Sequence, residues 1–301
     1  MKKIILTQKQ KKQFDDNGFI LIRDVIDKDI LEKVKDRIDG MLEGRYPSEG
    51  YKCGSASQEA ENDPGESIKQ VMNIWGWKKG QQWGPDPVLL EMGRHPVIAS
   101  MAAQLLRIKE AWIFQQQAFL KEAGLVNATP WHQDDFYWRS NKTALTAFMP
   151  LEKLDKHNGT LYFFPKSHKW GVLDHKPAGG VSLFQTVAQK LDESKCVPVE
   201  LEPGDVSFHH SVMIHGAPPN KGKIRRISIS QHYSIPGSWW LWGGNNDVLM
   251  PKKSFTQGIG VSETSVNRWM REEKLKYIKK DNGRVFIKKR EFAQFIKTHL
   301  T

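Results

Sequence analysis

Residues 202–230, "EPGDVSFHHSVMIHGAPPNKGKIRRISIS", run from a turn into a short strand, pass a histidine beside a small glycine, and enter a second strand. Pro203-Gly204-Asp205 is the turn signal, "DVSFHH" (205–210) and "RRISISQHYS" (225–234) are the strand-like runs, and His215-Gly216 opens the loop between them. Working outward, the same texture recurs. "AWIFQQQAFLK" (111–121), "TALTAFMPL" (143–151), "TLYFFP" (160–165) and "CVPVEL" (196–201) are short, aromatic or β-branched, and bounded by turn formers such as Asn158-Gly159. Many short strands in succession without helices between them imply a β-sandwich or barrel.

Before residue 107 the pattern is mostly helical. Thr7 and Gln10 have capping-box spacing, Asn17-Gly18 is a helix stop, and "FILI" (19–22) suits a short buried strand. Ile30, Leu31, Val34, Ile38, Met41 and Leu42 recur at helical spacing behind Asp27 or Asp29, and His95-Pro96 starts a helix that runs through Leu106. The stretch from 46 to 92 lacks a long period and is rich in Gly and turn formers, the texture of a binding loop. The expected main domain is therefore 1–245, with a helical part at 1–106 and a β core at 107–245.

Composition excludes several classes. The 301 residues are 39% apolar and 26% charged, near globular averages, with 11 Trp. No apolar run approaches the roughly 20 residues that a bilayer requires, and "MKKIILTQKQKKQF" is too weakly apolar for a secretory signal. Cys53 and Cys196 stand alone, which argues against disulfides or a thiolate zinc site and for a reducing, cytoplasmic setting.

The net charge is +11, and residues 251–301 alone hold 13 Lys/Arg against 5 Asp/Glu. Within that tail Ser262 can cap a helix carrying Val266, Trp269 and Met270, and Asn282-Gly283 makes a tight turn between "KYIKK" and "RVFIKK". Phe292, Phe295 and Ile296 recur on a last helix. Residues 252–301 thus read as a basic helix-hairpin-helix module that resembles the small winged helix-turn-helix of excisionase-type proteins, with 263–273 as the recognition helix. A preceding helix would have to fit in "KKSFTQGIG", where Gly258 costs about 1 kcal/mol. The implied partner is nucleic acid; a soluble packing module is the plainer alternative.

The chemistry begins at "TPWHQDDFYW" (129–138). Two residues two apart in a strand face the same side, so His132 and Asp134 can share one ion while Gln133 points elsewhere. A metal that must accept a chelating cosubstrate and oxygen wants two His and one carboxylate on one face, with three positions open. Candidates for the third ligand are His157, His168, His175, His209, His210, His215 and His232; His215 stands out for its strand-loop-strand context. Arg226, eleven residues on, can pair bidentately with the distal carboxylate of a dicarboxylate. His209 and His210 read as structural. Trp131, Phe136, Tyr137 and Trp138 read first as core, with Tyr137 and Trp138 the candidates for substrate contact.

"WHQDDFYW", "NGTLYFFPKSHKWG" and "PGDVSFHHSVMIHGAPPNKGKIRRISISQHY", with "KKQFDDNGFILIRDVID" at the start, resemble the phytanoyl-CoA dioxygenase family of iron(II)- and 2-oxoglutarate-dependent oxygenases over residues 11–236. The resemblance implies a double-stranded β-helix (jelly roll) with N-terminal flanking helices, Fe(2+) and 2-oxoglutarate as cofactors, and O2 as cosubstrate. It implies His132, Asp134 and His215 as metal ligands, Arg226 rather than Arg225 on the distal carboxylate, and Phe148 as a wall of that pocket. Lys121 falls where some members use a lysine on the cosubstrate, and Gln117 shares its strand parity. Two departures stand out: Ala217 replaces a frequent Ser, and Lys166 replaces the Gly of the usual Pro-Gly-Ser/Thr-His turn. The implied activity is hydroxylation of an unactivated C–H of a small organic substrate. Retention of Asp134 favours it over halogenation, since related halogenases replace that carboxylate. The alternative is a nucleic-acid-binding protein whose basic module targets the oxygenase, or an inactive oxygenase fold, to DNA.

Overall fold

The computed structural model describes residues 4–46, 52–55, 69–72, 77–78, 81–82, 86–124, 127–138, 140, 142–178, 185–236, 238, 249–251, 262–280, 283–288 and 291. The chain divides into two compact units, one of Met1–Asp134 with Thr143–Pro236 and one of Asp135–Lys142 with Gly237–Thr301. The expected boundary at 245 thus moves to 236, and a short piece after Asp134 joins the second unit. No described helix is long and apolar enough to cross a membrane.

The first unit opens with helix α1 (Gln8–Asn17), strand β1 (Phe19–Ile22) and helix α2 (Lys28–Leu42). Thr7 and Gln10 form the capping box, and Gly18 closes α1 in the left-handed conformation. Short strands β2 (Lys52–Ser55), β3 (Lys69–Met72), β4 (Trp77–Lys78) and β5 (Gln81–Gln82) follow, then helices α3 (Pro87–Gly93) and α4 (Pro96–Leu105). Each of these helices begins with a proline, whose missing N–H costs nothing there. The β body holds β6 (Trp112–Lys121), β7 (Thr129–His132), β8 (Ala144–Pro150), β9 (Tyr162–Phe163), β10 (His175–Lys176) and β11 (Thr186–Val187). It is completed by β12 (Val197–Pro198), β13 (Val206–His210), β14 (His215–Ala217) and β15 (Arg226–Ser234).

Two sheets form the body. The larger has the order β1-β13-β8-β15-β6-β3-β2, the smaller β12-β9-β14-β7. From β6 to β9 and again from β13 to β15, the chain alternates between the larger and the smaller sheet, consistent with the jelly roll. β2 and β3 correct the reading of 1–106 as the helical part, because they extend the larger sheet beyond β6. The expected strands at 160–165 and 196–201 shrink to two residues each; Leu154 and Leu201 add an isolated bridge.

Strand alternation sorts the larger sheet into two faces. One carries Leu145, Ala147 and Met149 of β8, Phe208 of β13, and Ile227 and Ile229 of β15, clustered with Val34 and Ile38 of α2, Leu89 of α3 and Met101 of α4. Each fully buried Leu, Ile or Met there contributes about 1.5–3 kcal/mol, so the helices and this face form the main core. The opposite face carries Thr146, Ser207, His209, Arg226, Ser228, Ser230 and His232, all buried. A buried row of that polarity is unsuited to a hydrophobic core and marks the site.

In the second unit, α5 (Asp134–Trp138) starts at the junction, and Phe136 and Trp138 are buried. Further on come β16 (Leu249–Pro251), α6 (Glu263–Arg271), β17 (Ile278–Lys279) and β18 (Val285–Lys288). Ser262 caps α6 and Val266 is buried, as the spacing predicts. β17 and β18 pair as the expected hairpin, with Gly283 at φ 75°, and β16 adds a third strand beside β18. The helix required in 252–260, Asn282, and Phe292, Phe295 and Ile296 lie outside the described residues, as do most of the Trp-rich stretches at 74–83 and 238–242.

Lys166, which stands where the resemblance expects Gly, precedes the short 3-10 turn Ser167–Trp170. It is exposed, has φ 70°, and donates its N–H to the Asn17 carbonyl at 2.9 Å. The left-handed conformation explains why Gly suits this turn, since another residue costs about 1–2 kcal/mol there. Lys166→Gly is expected to stabilise the protein by about 0.5–1 kcal/mol after the larger chain entropy of Gly is subtracted, read from denaturant midpoints.

Candidate metal centre

β7 and β14 are antiparallel neighbours in the smaller sheet, and their register places the Cα of His132 opposite that of His215. Gly216 allows this approach: a Cβ there would meet the Thr129 carbonyl oxygen and the Trp131 side chain, both at 3.0 Å. Asp134 reaches the pair differently from the sequence expectation. β7 ends at His132 and a helical turn begins at Asp134, so the carboxylate is delivered by the first residue of α5 rather than by strand parity.

The two imidazole rings stand 4.2 Å apart. Nδ1 of His132 donates to the Pro130 carbonyl at 2.8 Å, and Nδ1 of His215 donates to the Met213 carbonyl at 3.0 Å. With the Nδ1 protons committed, each Nε2 presents its lone pair, the arrangement in which a carbonyl orients a metal-binding imidazole. These nitrogens lie 3.7 and 3.6 Å from Oδ1 of Asp134. The three donor atoms all lie within 4.8 Å of one another and could hold one metal ion. Two imidazoles and one carboxylate suit iron(II) with positions left open.

Asp134 has a second set of neighbours. Its Oδ2 accepts from the Thr146 hydroxyl at 2.8 Å. That hydroxyl accepts from Nδ1 of His232 at 2.9 Å, and Nε2 of His232 accepts from the Gln117 amide at 3.1 Å. A chain of three hydrogen bonds therefore runs from β6 through β15 and β8 to the carboxylate. Burial would raise the Asp134 pKa, but His215, His209 and His232 around it outweigh burial and hold it below the usual carboxylate range.

One cavity takes in this cluster. It is also lined by Arg226 and Lys121, whose Cα atoms are register partners on β15 and β6. Arg226 is 3% exposed, its guanidinium lies 5.3 Å from the centre of the Phe148 ring, and its Nε has no hydrogen-bond partner. Burial lowers its pKa to about 10, still cationic at neutral pH. Lys121 is 1% exposed and donates Nζ to the carbonyls of Ala217 and Pro218 at 3.2 and 3.0 Å. Burial, with Arg226 nearby, lowers its pKa well below the ordinary value. Arg226, a buried cation with no acidic partner among the described contacts, is costly unless an anion joins it. Arg225 is placed otherwise, bonded to Asp39 and Glu152 at 2.6 and 3.1 Å.

The sequence-selected residues thus converge, except that Tyr137 and Trp138 are not among the cavity's lining residues. Gln117 lines the cavity through its bond to His232, and Ala217 contributes its carbonyl rather than a hydroxyl. Of the other histidines considered, His157 lines a different cavity, His168 bonds the Asp15 carbonyl, and His175 accepts from the Gln133 N–H. His209, which the sequence reading takes as structural, lines the same cavity. Sequence reasoning missed Thr146 and weighed His232 only as a third metal ligand, although both share strand parity with chosen residues, Phe148 and Arg226.

The buried histidines make stability depend on pH. Burial first, and His215 second, push His132 down to about 3, while burial pushes His209, His210 and His232 down to about 4. Below pH 6.5 the unfolded chain takes up protons that the folded chain refuses. Stability is therefore intact above pH 6.5 and falls between 6.5 and 4, each histidine contributing up to about 1.4 kcal/mol per pH unit. Denaturant unfolding of the metal-free protein at pH 7.5 and pH 5 checks this; equal midpoints would contradict it.

Known proteins share this fold. A "Probable phytanoyl-CoA dioxygenase" of Caenorhabditis elegans is 27% identical over 242 residues, covering 76% of each chain. The crystal structure of the epimerase SnoN in complex with Fe3+, alpha ketoglutarate and nogalamycin RO shares the fold at a TM-score of 0.60 and 20% identity, covering 77% of this chain and 85% of that one. EvdO2 from Micromonospora carbonacea var. aurantiaca, complexed with 2-oxoglutarate, aligns at a TM-score of 0.57 and 18% identity, over 81% of this chain and 95% of that one. The family profile "Phytanoyl-CoA dioxygenase (PhyH)" matches residues 14–228, more than half of the chain, and the chain belongs to that family.

Proposed function

We propose that this protein is an iron(II)- and 2-oxoglutarate-dependent dioxygenase that hydroxylates an unactivated C–H of a small organic substrate, with succinate and CO2 as coproducts. The observation that carries the reading is the combination, in one cavity, of the His132–Asp134–His215 donor set and the basic side chains Arg226 and Lys121, which have no acidic partner among the described residues. The donor set fits the metal and the basic side chains fit a dicarboxylate. SnoN, a relative in fold, binds both Fe3+ and alpha ketoglutarate.

In this reading the bound iron and 2-oxoglutarate supply the oxidising chemistry, in which O2, the 2-oxo acid and R–H become succinate, CO2 and R–OH. The protein's residues do the rest. His132, Asp134 and His215 hold the ion on one side and leave the other open. Arg226 receives the distal carboxylate bidentately, Lys121 adds positive charge beside it, and Phe148 shields that end from water. Thr146, His232 and Gln117 keep the Asp134 carboxylate oriented. Delivery of the enzyme to nucleic acid by residues 252–301 is a separate reading, supported by the Lys/Arg excess there and by the cap and hairpin of that module.

Succinate release from 2-oxoglutarate, with iron(II) and a pool of candidate substrates, tests the site. His132→Ala is expected to reduce turnover by about 100-fold or more, because one ligand of a three-ligand site is lost. Arg226→Met is expected to raise the KM for 2-oxoglutarate by about 100-fold as its buried carboxylate partner goes unpaired. Unchanged succinate release in His132→Ala would sink the assignment.

A further inference from the structure

His209 occupies a place that an apolar residue would fill at lower cost. Its side chain is 1% exposed, and its ring stands 4.9 Å from Phe163 and 4.8 Å from His215. Neither ring nitrogen has a hydrogen-bond partner. A phenylalanine or leucine would pack in this wall with no polar group to satisfy, whereas an orphaned buried donor costs about 1–3 kcal/mol. The compensation has to come from the cavity that His209 lines.

Asp134 shows where. Its oxygens face different groups: Oδ1 lies 3.7 and 3.6 Å from Nε2 of His132 and His215, while Oδ2 accepts from Thr146 and has Nε2 of His209 at 3.6 Å. The last distance is longer than a hydrogen bond, and a shift of roughly half an ångström would close it. The sheet builds this arrangement deliberately in register. His209 of β13 and His232 of β15 are both Cα partners of Thr146 on β8, so three side chains form one row beside the carboxylate. His232 supports Thr146; the nitrogens at the other end of the row, on His209, are unpaired.

We infer that His209 is a positioning residue for the metal: it donates Nε2–H to Oδ2 of Asp134 and, with Thr146, holds the carboxylate to the ion through Oδ1 alone. This rests on the metal and cosubstrate reading above. Binding through one oxygen matters, because a carboxylate that used both would occupy a coordination position the dicarboxylate or oxygen needs. Partners that orient a ligand in this way typically account for about 10–100-fold in metal affinity. A His209 that merely filled space would not affect that affinity.

The test titrates iron(II), without oxygen, into 2-oxoglutarate-saturated wild type, His209→Phe and His209→Gln. The visible charge-transfer absorption of the metal-bound 2-oxo acid reports binding, and thermal melting of each metal-free protein reports folding. His209→Phe is expected to melt at or above the wild type, to bind iron about tenfold more weakly and to shift the absorption. His209→Gln, which keeps an N–H donor, is expected to recover most of the affinity. Binding by His209→Phe within about twofold of wild type, with the absorption unchanged, overturns the role of His209 and leaves the proposed function standing. A wild type with no absorption overturns both. If His209→Phe does not fold, His209→Leu replaces it and the same comparison decides.

Discussion

Successive residues of a strand point to opposite faces, and in β8, β13 and β15 that alternation separates two materials. Leu145, Ala147, Met149, Phe208, Ile227 and Ile229 go to the helices; Thr146, His209, Arg226, Ser228, Ser230 and His232 go to the space between the sheets. A shift of one residue in register would send the charged set into the main core and the apolar set into the cavity. The candidate metal centre is therefore not an addition to the fold. It is the second face of the sheet whose first face holds the protein together.

Within the cavity, charge is distributed by position. The carboxylate and the two imidazoles gather where β7, β14 and the start of α5 meet, and the basic side chains Lys121 and Arg226 lie across β6 and β15. Oδ2 of Asp134 accepts from Thr146, while Oδ1 faces the Nε2 lone pairs of His132 and His215 across a gap that suits a cation. Arg226 has no acidic partner among the described residues, and the cost of burying it is the strongest physical argument that an anion belongs there.

Much of this was legible in the sequence. His132, Asp134, His215 and Arg226 could be selected because their order and their strand-loop-strand context are unusual together. The local conformation at Asp134 was not legible: a helical turn and a strand both bring the carboxylate near the ion, and spacing alone does not separate them. Thr146 was not selected, and the places of His209 and His232 beside Asp134 were not read, for another reason. Those places arise from cross-strand neighbours far apart in the chain, and pairing register is a property of the folded sheet. The short strands β2 and β3 sit in a Gly-rich region with no period to announce them. In the tail, the cap at Ser262 and the hairpin around Gly283 were visible because local turn chemistry specifies both.

The central claim is that one cavity binds a metal and a dicarboxylate together. Calorimetric titration of 2-oxoglutarate into the protein without oxygen, with and without iron(II), tests it most directly. The account predicts one 2-oxoglutarate per chain, bound much more tightly when iron is present, with that enhancement lost in Asp134→Ala. Affinity indifferent to iron, or no binding at all, would contradict it.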